Sequence, residues 1–201
     1  LWSLLDGELP SPMTELMSIG PPLPPVRGRL LGGNLEVLSR LCGTALQAAL
    51  TQSGPVVLLI EEVTEAPYRI DRALTQLLVS GALRCVVAVV VGDLVRCEGP
   101  AEHPTALAVI AERLSGLGVP IVAGLPLGHG ARNRAVPLGV EVDAAAGVRA
   151  GGGEARELLA GLAQPHRAQA HLLQPVPGVV LLGGALWKVF GGKKKDAGAQ
   201  A

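Results

Sequence analysis

The sequence predicts an α/β fold, and three observations carry that prediction. Short, continuous apolar runs recur at 56–60, 86–91 and 120–123, and segments with apolar residues at helical spacing lie between them. Apolar residues make up 49% of the chain, yet aromatics only 2%, so any core is built from Val, Leu, Ile and Ala. Runs this short have the length of strands rather than helices, and their alternation with helical segments is the pattern of a sheet with crossover helices. An aliphatic core suits strands buried on both faces better than an aromatic-anchored sandwich.

Taken in order, residues 1–29 read as irregular. Pro10, Pro12, Pro21, Pro22, Pro24 and Pro25 each remove a backbone donor and fix φ. The first organised element opens at Gly32-Gly33-Asn34, where Asn34 is a good N-cap for a helix carrying Leu35, Leu38, Leu41 and Cys42. Gly43 ends that helix. Val56 to Ile60 is a buried strand that stops at Glu61-Glu62. Pro67 fits the first turn of a second helix, Ile70, Leu74, Leu77 and Leu78 share one face, and Gly81 sits at C′. Val86 to Val91 is a second strand, ended by Gly92-Asp93. A helix then runs from about Pro104 to Leu114 with Leu107, Ile110 and Leu114 aligned. Pro120 to Ala123 is a third strand that leads into Gly124-Leu125-Pro126-Leu127-Gly128-His129-Gly130, and Pro137 to Asp143 alternates as a fourth.

Composition excludes several function classes. Formal net charge is zero and the isoelectric point about 7.1, which leaves no electrostatic footprint for nucleic acid; the scarcity of aromatics leaves no base-stacking platform. The three cysteines, Cys42, Cys85 and Cys97, are an odd number without C-x-x-C spacing, which points to a reducing compartment rather than a disulfide framework or a zinc site. No run is long enough to span a bilayer. His166 and His171 lack a third ligand, His103 reads as a solvated residue near a helix start, and neither a metal nor another cofactor is expected. The chain opens on Leu1, with no leader pattern after it, so the expectation is a segment trimmed from something longer. Three regions follow: a Pro-rich lead-in at 1–29 from a missing N-terminal domain, an α/β domain at 30–150, and a low-complexity, partly disordered tail at 151–201. Within the tail, Val176 to Trp187 is apolar and Lys193, Lys194 and Lys195 follow it, which suggests a membrane-surface segment; an unstructured extension is the alternative.

Two residues stand out for chemistry. Glu61 sits where an apolar strand ends, and the carboxyl ends of strands are where α/β sheets place ligand and catalytic groups. His129 lies between two glycines in a loop directly after another strand, a setting that lets the backbone turn tightly and a substrate approach the ring. A carboxylate accepting from one ring nitrogen would leave the other free as a base. The structural alternatives are a solvated loop carboxylate and a loop histidine of no special role. Glu62 and Glu65 read as surface or helix-dipole charges, since both precede a helix N-terminus.

Three motifs occur in one order: Gly32-Gly33-Asn34-Leu35 with Leu38, Leu41 and Gly43-Thr44; Leu59-Ile60-Glu61-Glu62 with Glu65, Pro67-Tyr68-Arg69-Ile70-Asp71-Arg72 and Gln76-Leu77; and Gly124-Leu125-Pro126-Leu127-Gly128-His129-Gly130 with Pro137-Leu138-Gly139. The series, over roughly residues 1–145, resembles the C-terminal domain of the LD-carboxypeptidases, a family that includes muramoyl-tetrapeptide carboxypeptidases and microcin C immunity peptidases. The resemblance implies a swivelling β/α barrel-type domain. It also implies a cytoplasmic serine-type hydrolase that removes the terminal D-amino acid from murein peptides during cell-wall recycling, without a cofactor. By position, the triad glutamate falls on Glu61 and the histidine on His129, with Gly33, Asn34 and Gly128 as substrate-binding positions. The family's nucleophilic serine lies in an N-terminal domain, in a Gly-x-Ser-Asp turn that this chain lacks, so the chain alone is expected to be inactive. Leu31 replaces an aromatic that many members carry before the Gly-Gly-Asn-Leu motif. The expected partners are the murein peptide, the nucleophile domain and a second copy in a homodimer. The competing reading is a stand-alone binding module that docks on a separate partner domain.

Overall fold

The computed structural model describes Met13, residues 16–20 and residues 23–144. The expectations for the 151–201 tail, including Val176 to Trp187, His166 and His171, lie outside the described residues, as does most of the 1–29 lead-in.

Six strands form one sheet: β1 (Met17–Ser18), β2 (Val26–Asn34), β3 (Val56–Val63), β4 (Val86–Val95), β5 (Ile121–Ala123) and β6 (Glu141–Ala144), in spatial order β1-β5-β4-β3-β2-β6. The four inner strands β2 to β5 run parallel, while β1 and β6 pair antiparallel at the two edges. The sheet curls as a half-barrel. Helices α1 (Leu35–Arg40) and α2 (Gln47–Thr51) connect β2 to β3, α3 (Pro67–Val79) connects β3 to β4, and α4 (Ala106–Leu114) with a 3₁₀ turn at Ser115–Leu117 connects β4 to β5.

Side-chain alternation along β3 divides the core. Val56, Leu58 and Ile60 face the helices, where they meet Leu35 and Leu38 of α1, Ile70, Leu74 and Leu77 of α3, and Ile110 and Leu114 of α4. Val57 and Leu59 face the other way, among Leu30, Val90, Val122, Leu125 and Val142. Every residue of β3 from Val56 to Glu62 is buried, which is why the segment reads as a continuous apolar run. Each fully buried Leu or Ile contributes on the order of 1.5–3 kcal/mol relative to exposure. Two helices start as expected: Asn34 caps α1 by accepting from the Val37 N–H at 3.1 Å, and Pro67 occupies the first turn of α3. The start of α4 lies two residues after the expected Pro104, and Thr105 caps it by accepting from Ala108 N–H at 3.2 Å.

Several expectations are corrected. Val26 to Asn34 is a nine-residue strand where irregular chain and then a helix start are expected. Its buried positions are Gly28, Leu30 and Gly32, so only one of the three inward residues is apolar and the period-2 signal vanishes. Glycine is required at position 32: φ is +138°, and a β-carbon there would stand 1.9 Å from the Leu59 carbonyl oxygen. β3 and β4 each extend past the expected stop, to Val63 and Val95, so Glu61, Glu62, Gly92 and Asp93 are strand residues. The last strand is shorter and later than expected, Glu141–Ala144.

Candidate active site

The site forms at the carboxyl edge of the parallel strands, where β3 ends at its paired carboxylates. Adjacent residues of a strand point to opposite faces, so Glu61 and Glu62 part company. Glu62 turns to the helix face; Glu61 turns to the other, toward the loop that follows β5. The ladder between β3 and β4 slips here: Ile60 pairs with Val91 and Glu62 with Leu94, so Gly92 and Asp93 together oppose Glu61. This β-bulge spreads the strand edge next to the carboxylate, a recurrent device beside functional sites.

Gly124 leaves β5 with φ at +96°, and the chain returns across the bulge. Asp93 N–H donates to Leu127 O at 2.8 Å, which fastens the returning loop to β4. A β-carbon on Gly92 would lie 2.4 Å from that same Leu127 oxygen, so the crossing needs a bare backbone. The next residues place His129 over Glu61: the ring Nδ1 lies 2.8 Å from Glu61 Oε2. Glu61 is 3% exposed and the histidine side chain 37%. With the carboxylate as acceptor, Nδ1 is the donor, and Nε2, which has no hydrogen-bond partner among the described residues, is left as an acceptor.

Both glycines beside the histidine have a steric reason. A β-carbon on Gly128, whose φ is +134°, would stand 2.9 Å from Glu61 Oε2 and 3.3 Å from Asp93 Cβ. One on Gly130 would stand 2.1 Å from Asp93 Oδ2. Two carboxylates therefore press on the two glycines from below. Asp93 Oδ2 is buried without a hydrogen-bond partner among the described residues. Gly128 N–H donates to Asn133 Oδ1 at 3.4 Å, and Arg134 N–H to Pro126 O at 2.8 Å, closing the loop on itself.

The structure brings together Glu61, His129 and Gly128. Asn34 is the ladder partner of Glu61, but its side chain turns into a structural network: Nδ2 donates to Glu62 Oε1 at 2.8 Å and Oδ1 serves as the α1 cap. Gly33 lies opposite Ile60, one residue short of the carboxylate, with open space where a β-carbon would be. Glu62 is not a surface charge, and the helix start it meets is that of α1 rather than of α3, which follows it. It is 2% exposed and accepts from Asn34, from Glu36 N–H and from its neighbour Val63 N–H, each at 2.8 Å. Glu65 is nearer expectation, 20% exposed and paired with Arg69. Asp93 is not among the residues the sequence singles out; its signal is close to that of Glu61, an acid one glycine past an apolar run.

Each of the five described serines donates its hydroxyl to a backbone carbonyl: Ser18 to Gly20, Ser39 to Glu36, Ser53 to Ala49, Ser80 to Leu77 and Ser115 to Glu112. None of them bonds to His129. Among the described residues no group of three or more His, Cys, Asp or Glu side chains could hold a metal ion, and no helix is long and apolar enough to cross a membrane.

Residues 27–143 match the family model of the LD-carboxypeptidase C-terminal domain. The chain belongs to that family. A Synechocystis sp. protein assigned as a carboxypeptidase is 46% identical over 125 residues, 60% of this chain and 40% of that protein. The murein tetrapeptide carboxypeptidase of Pseudomonas aeruginosa is 34% identical over 135 residues, 67% of this chain and 42% of the relative. The chain thus spans less than half the length of the curated relatives it matches. Among solved structures, the muramoyltetrapeptide carboxypeptidase of Oxalobacter formigenes superposes with a TM-score of 0.54 at 29% identity, over 65% of this chain and 46% of that one. The microcin C7 self-immunity protein MccF shares the fold, with a TM-score of 0.56 at 22% identity over 65% of this chain and 38% of that one. The expected α/β fold and the family resemblance both hold.

Proposed function

We propose that this chain supplies the acid and the base of a Ser-His-Glu triad in an LD-carboxypeptidase that removes the terminal D-amino acid from murein peptides. The observation that carries the reading is the 2.8 Å contact between His129 Nδ1 and the buried Glu61 carboxylate, with the ring's other nitrogen left open. That is the relation a triad needs between base and orienting acid.

In this reading a second domain brings the serine and its oxyanion hole. The engagement of every described serine with a backbone carbonyl supports it, as does the extent of the relatives beyond the matched region. The serine Oγ attacks the carbonyl carbon of the last peptide bond while its proton passes to His129 Nε2. Glu61 holds the ring and stabilises the imidazolium. The imidazolium returns the proton to the nitrogen of the departing D-amino acid as the C–N bond breaks, leaving an acyl-serine. A water, deprotonated by the same nitrogen, then cleaves the ester and restores the hydroxyl. Gly33, Asn34 and Gly128 border the reacting bond as substrate-binding positions, and the setting is cytoplasmic. A domain without nucleophile or oxyanion hole lacks the largest contributions to turnover, so the chain alone is inactive.

The test is to assay the 201-residue chain on an L,D-tetrapeptide, alone and after adding the N-terminal domain of the Pseudomonas aeruginosa relative. Release of D-alanine only from the mixture supports the reading. Clear release by the chain alone contradicts the divided site. A mixture that associates but never turns over favours the other reading, a binding module that docks on a partner domain.

A further inference from the structure

We infer that Glu62 is a positioning residue of this site, whose task is to aim the Asn34 amide at the substrate; the inference rests on Asn34 being a substrate contact in the proposed function.

Glu62 is a carboxylate surrounded by donors. Its Oε1 takes the Asn34 Nδ2 and Val63 N–H groups and its Oε2 takes the Glu36 N–H, all at 2.8 Å, with the side chain 2% exposed. Three hydrogen bonds to a buried carboxylate recover what its desolvation costs, and such bonds are about twice as strong as neutral ones. They also tie together three pieces of chain: the end of β2, the first turn of α1 and the end of β3. Asn34 is the point where these pieces meet the site, since it is the ladder partner of Glu61.

The hydrogen-bond inventory of the Asn34 amide then leaves one group over. Oδ1 accepts from Val37 N–H and one Nδ2 hydrogen goes to Glu62. The second Nδ2 hydrogen has no acceptor among the described residues, and the residue is only half-buried. An amide with two of its groups tied down cannot flip, so the remaining N–H points one way. It is a donor fitted to a carboxylate or carbonyl oxygen, the groups that flank the last bond of a peptide. Glu62 thus contributes no atom to the reaction but fixes the direction of one that binds.

A glutamine at position 62 keeps the shape and one acceptor oxygen; with that oxygen at the Oε1 position it still accepts from Asn34 and Val63, and only Glu36 N–H meets the NH₂. An alanine removes all three bonds. In the chain assembled with the nucleophile domain, Glu62→Ala is expected to raise KM about tenfold while kcat stays within about twofold, the loss of one aimed hydrogen bond made equally in ground and transition states. Glu62→Gln, which keeps the bond to Asn34, should lose stability yet hold KM within about twofold of wild type. In the 201-residue chain alone, the two Asn34 Nδ2 proton resonances should move toward each other and exchange faster with solvent in Glu62→Ala but not in Glu62→Gln. A merely structural Glu62 would raise KM in both variants in step with the stability lost, and that result overturns the inference. So does an unchanged KM in Glu62→Ala when Asn34→Ala raises it, which leaves Asn34 a contact that needs no aiming. An unchanged KM in Asn34→Ala overturns Asn34 as a contact and the inference with it. An inactive wild-type assembly instead strikes at the proposed function itself.

Discussion

Asp93 Oδ2 occupies the place where a β-carbon on Gly130 would stand, 2.1 Å from it. The residue just before that glycine is the histidine that faces Glu61, so the position of the ring depends on a carboxylate with which it shares no hydrogen bond. Gly130→Ala should push the loop off β4, lower stability by about 1–3 kcal/mol as overpacking does, and broaden the His129 ring resonances. Adding Asp93→Ala removes the clash. A double-mutant cycle by chemical denaturation should show a coupling of about 1 kcal/mol or more. Simple additivity would mean that the loop does not rest on Asp93.

Glu61→Gln replaces the buried acceptor with a side chain of the same shape. If the amide NH₂ turns toward Nδ1, the ring must reverse its tautomer and Nε2 can no longer accept a proton. In the chain assembled with a nucleophile domain, kcat should fall about ten-thousand-fold, the scale known for a triad acid replaced by its amide, with KM little changed. A drop of less than about tenfold would remove Glu61 from the orienting role.

How much of this was legible beforehand depends on where each signal lies. β3 could be read because all its positions are buried and so all are apolar until the acids. β2 could not, because Gly28 and Gly32 hold two of its inward positions; their reason is the closeness of Pro55 and Leu59 on the neighbouring strand, a long-range fact. Strand ends and flanking glycines, both local features, single out Glu61 and His129, and the structure sets the two side chains 2.8 Å apart. Glu62 reads differently in the sequence because strand alternation decides its fate, and the apolar run that marks the strand ends at Ile60, three residues short of Val63. Asp93 looked like punctuation after Val91, and only the bulge opposite Glu61 brings it under the histidine loop.

Burial pushes the Cys97 thiol above its ordinary value of 9.0, and the nearby Glu62 and Glu98 carboxylates add to the rise. The side chain is 2% exposed, whereas Cys42 and Cys85 are half-buried. Iodoacetamide at pH 8 should therefore modify Cys97 about tenfold or more slower than the other two in the native chain, and at a similar rate in denaturant. Because the folded thiol holds its proton longer than the unfolded one, its contribution to stability is complete below the ordinary value and declines as pH rises past it. Denaturation midpoints for wild type and Cys97→Ala at pH 7 and pH 10 should show the smaller pH-dependent loss in the variant.

The role of His129 as the base is tested most directly by kcat of the chain assembled with a serine-bearing N-terminal domain, measured for wild type and His129→Ala. The ring is partly exposed and its removal leaves the core intact, so the variant should fold and associate with unchanged affinity. Its kcat on an L,D-tetrapeptide should fall by about a thousandfold or more, as loss of a triad base requires. A His129→Ala assembly that associates normally and still releases D-alanine at near the wild-type rate would contradict the assignment of the base to this chain.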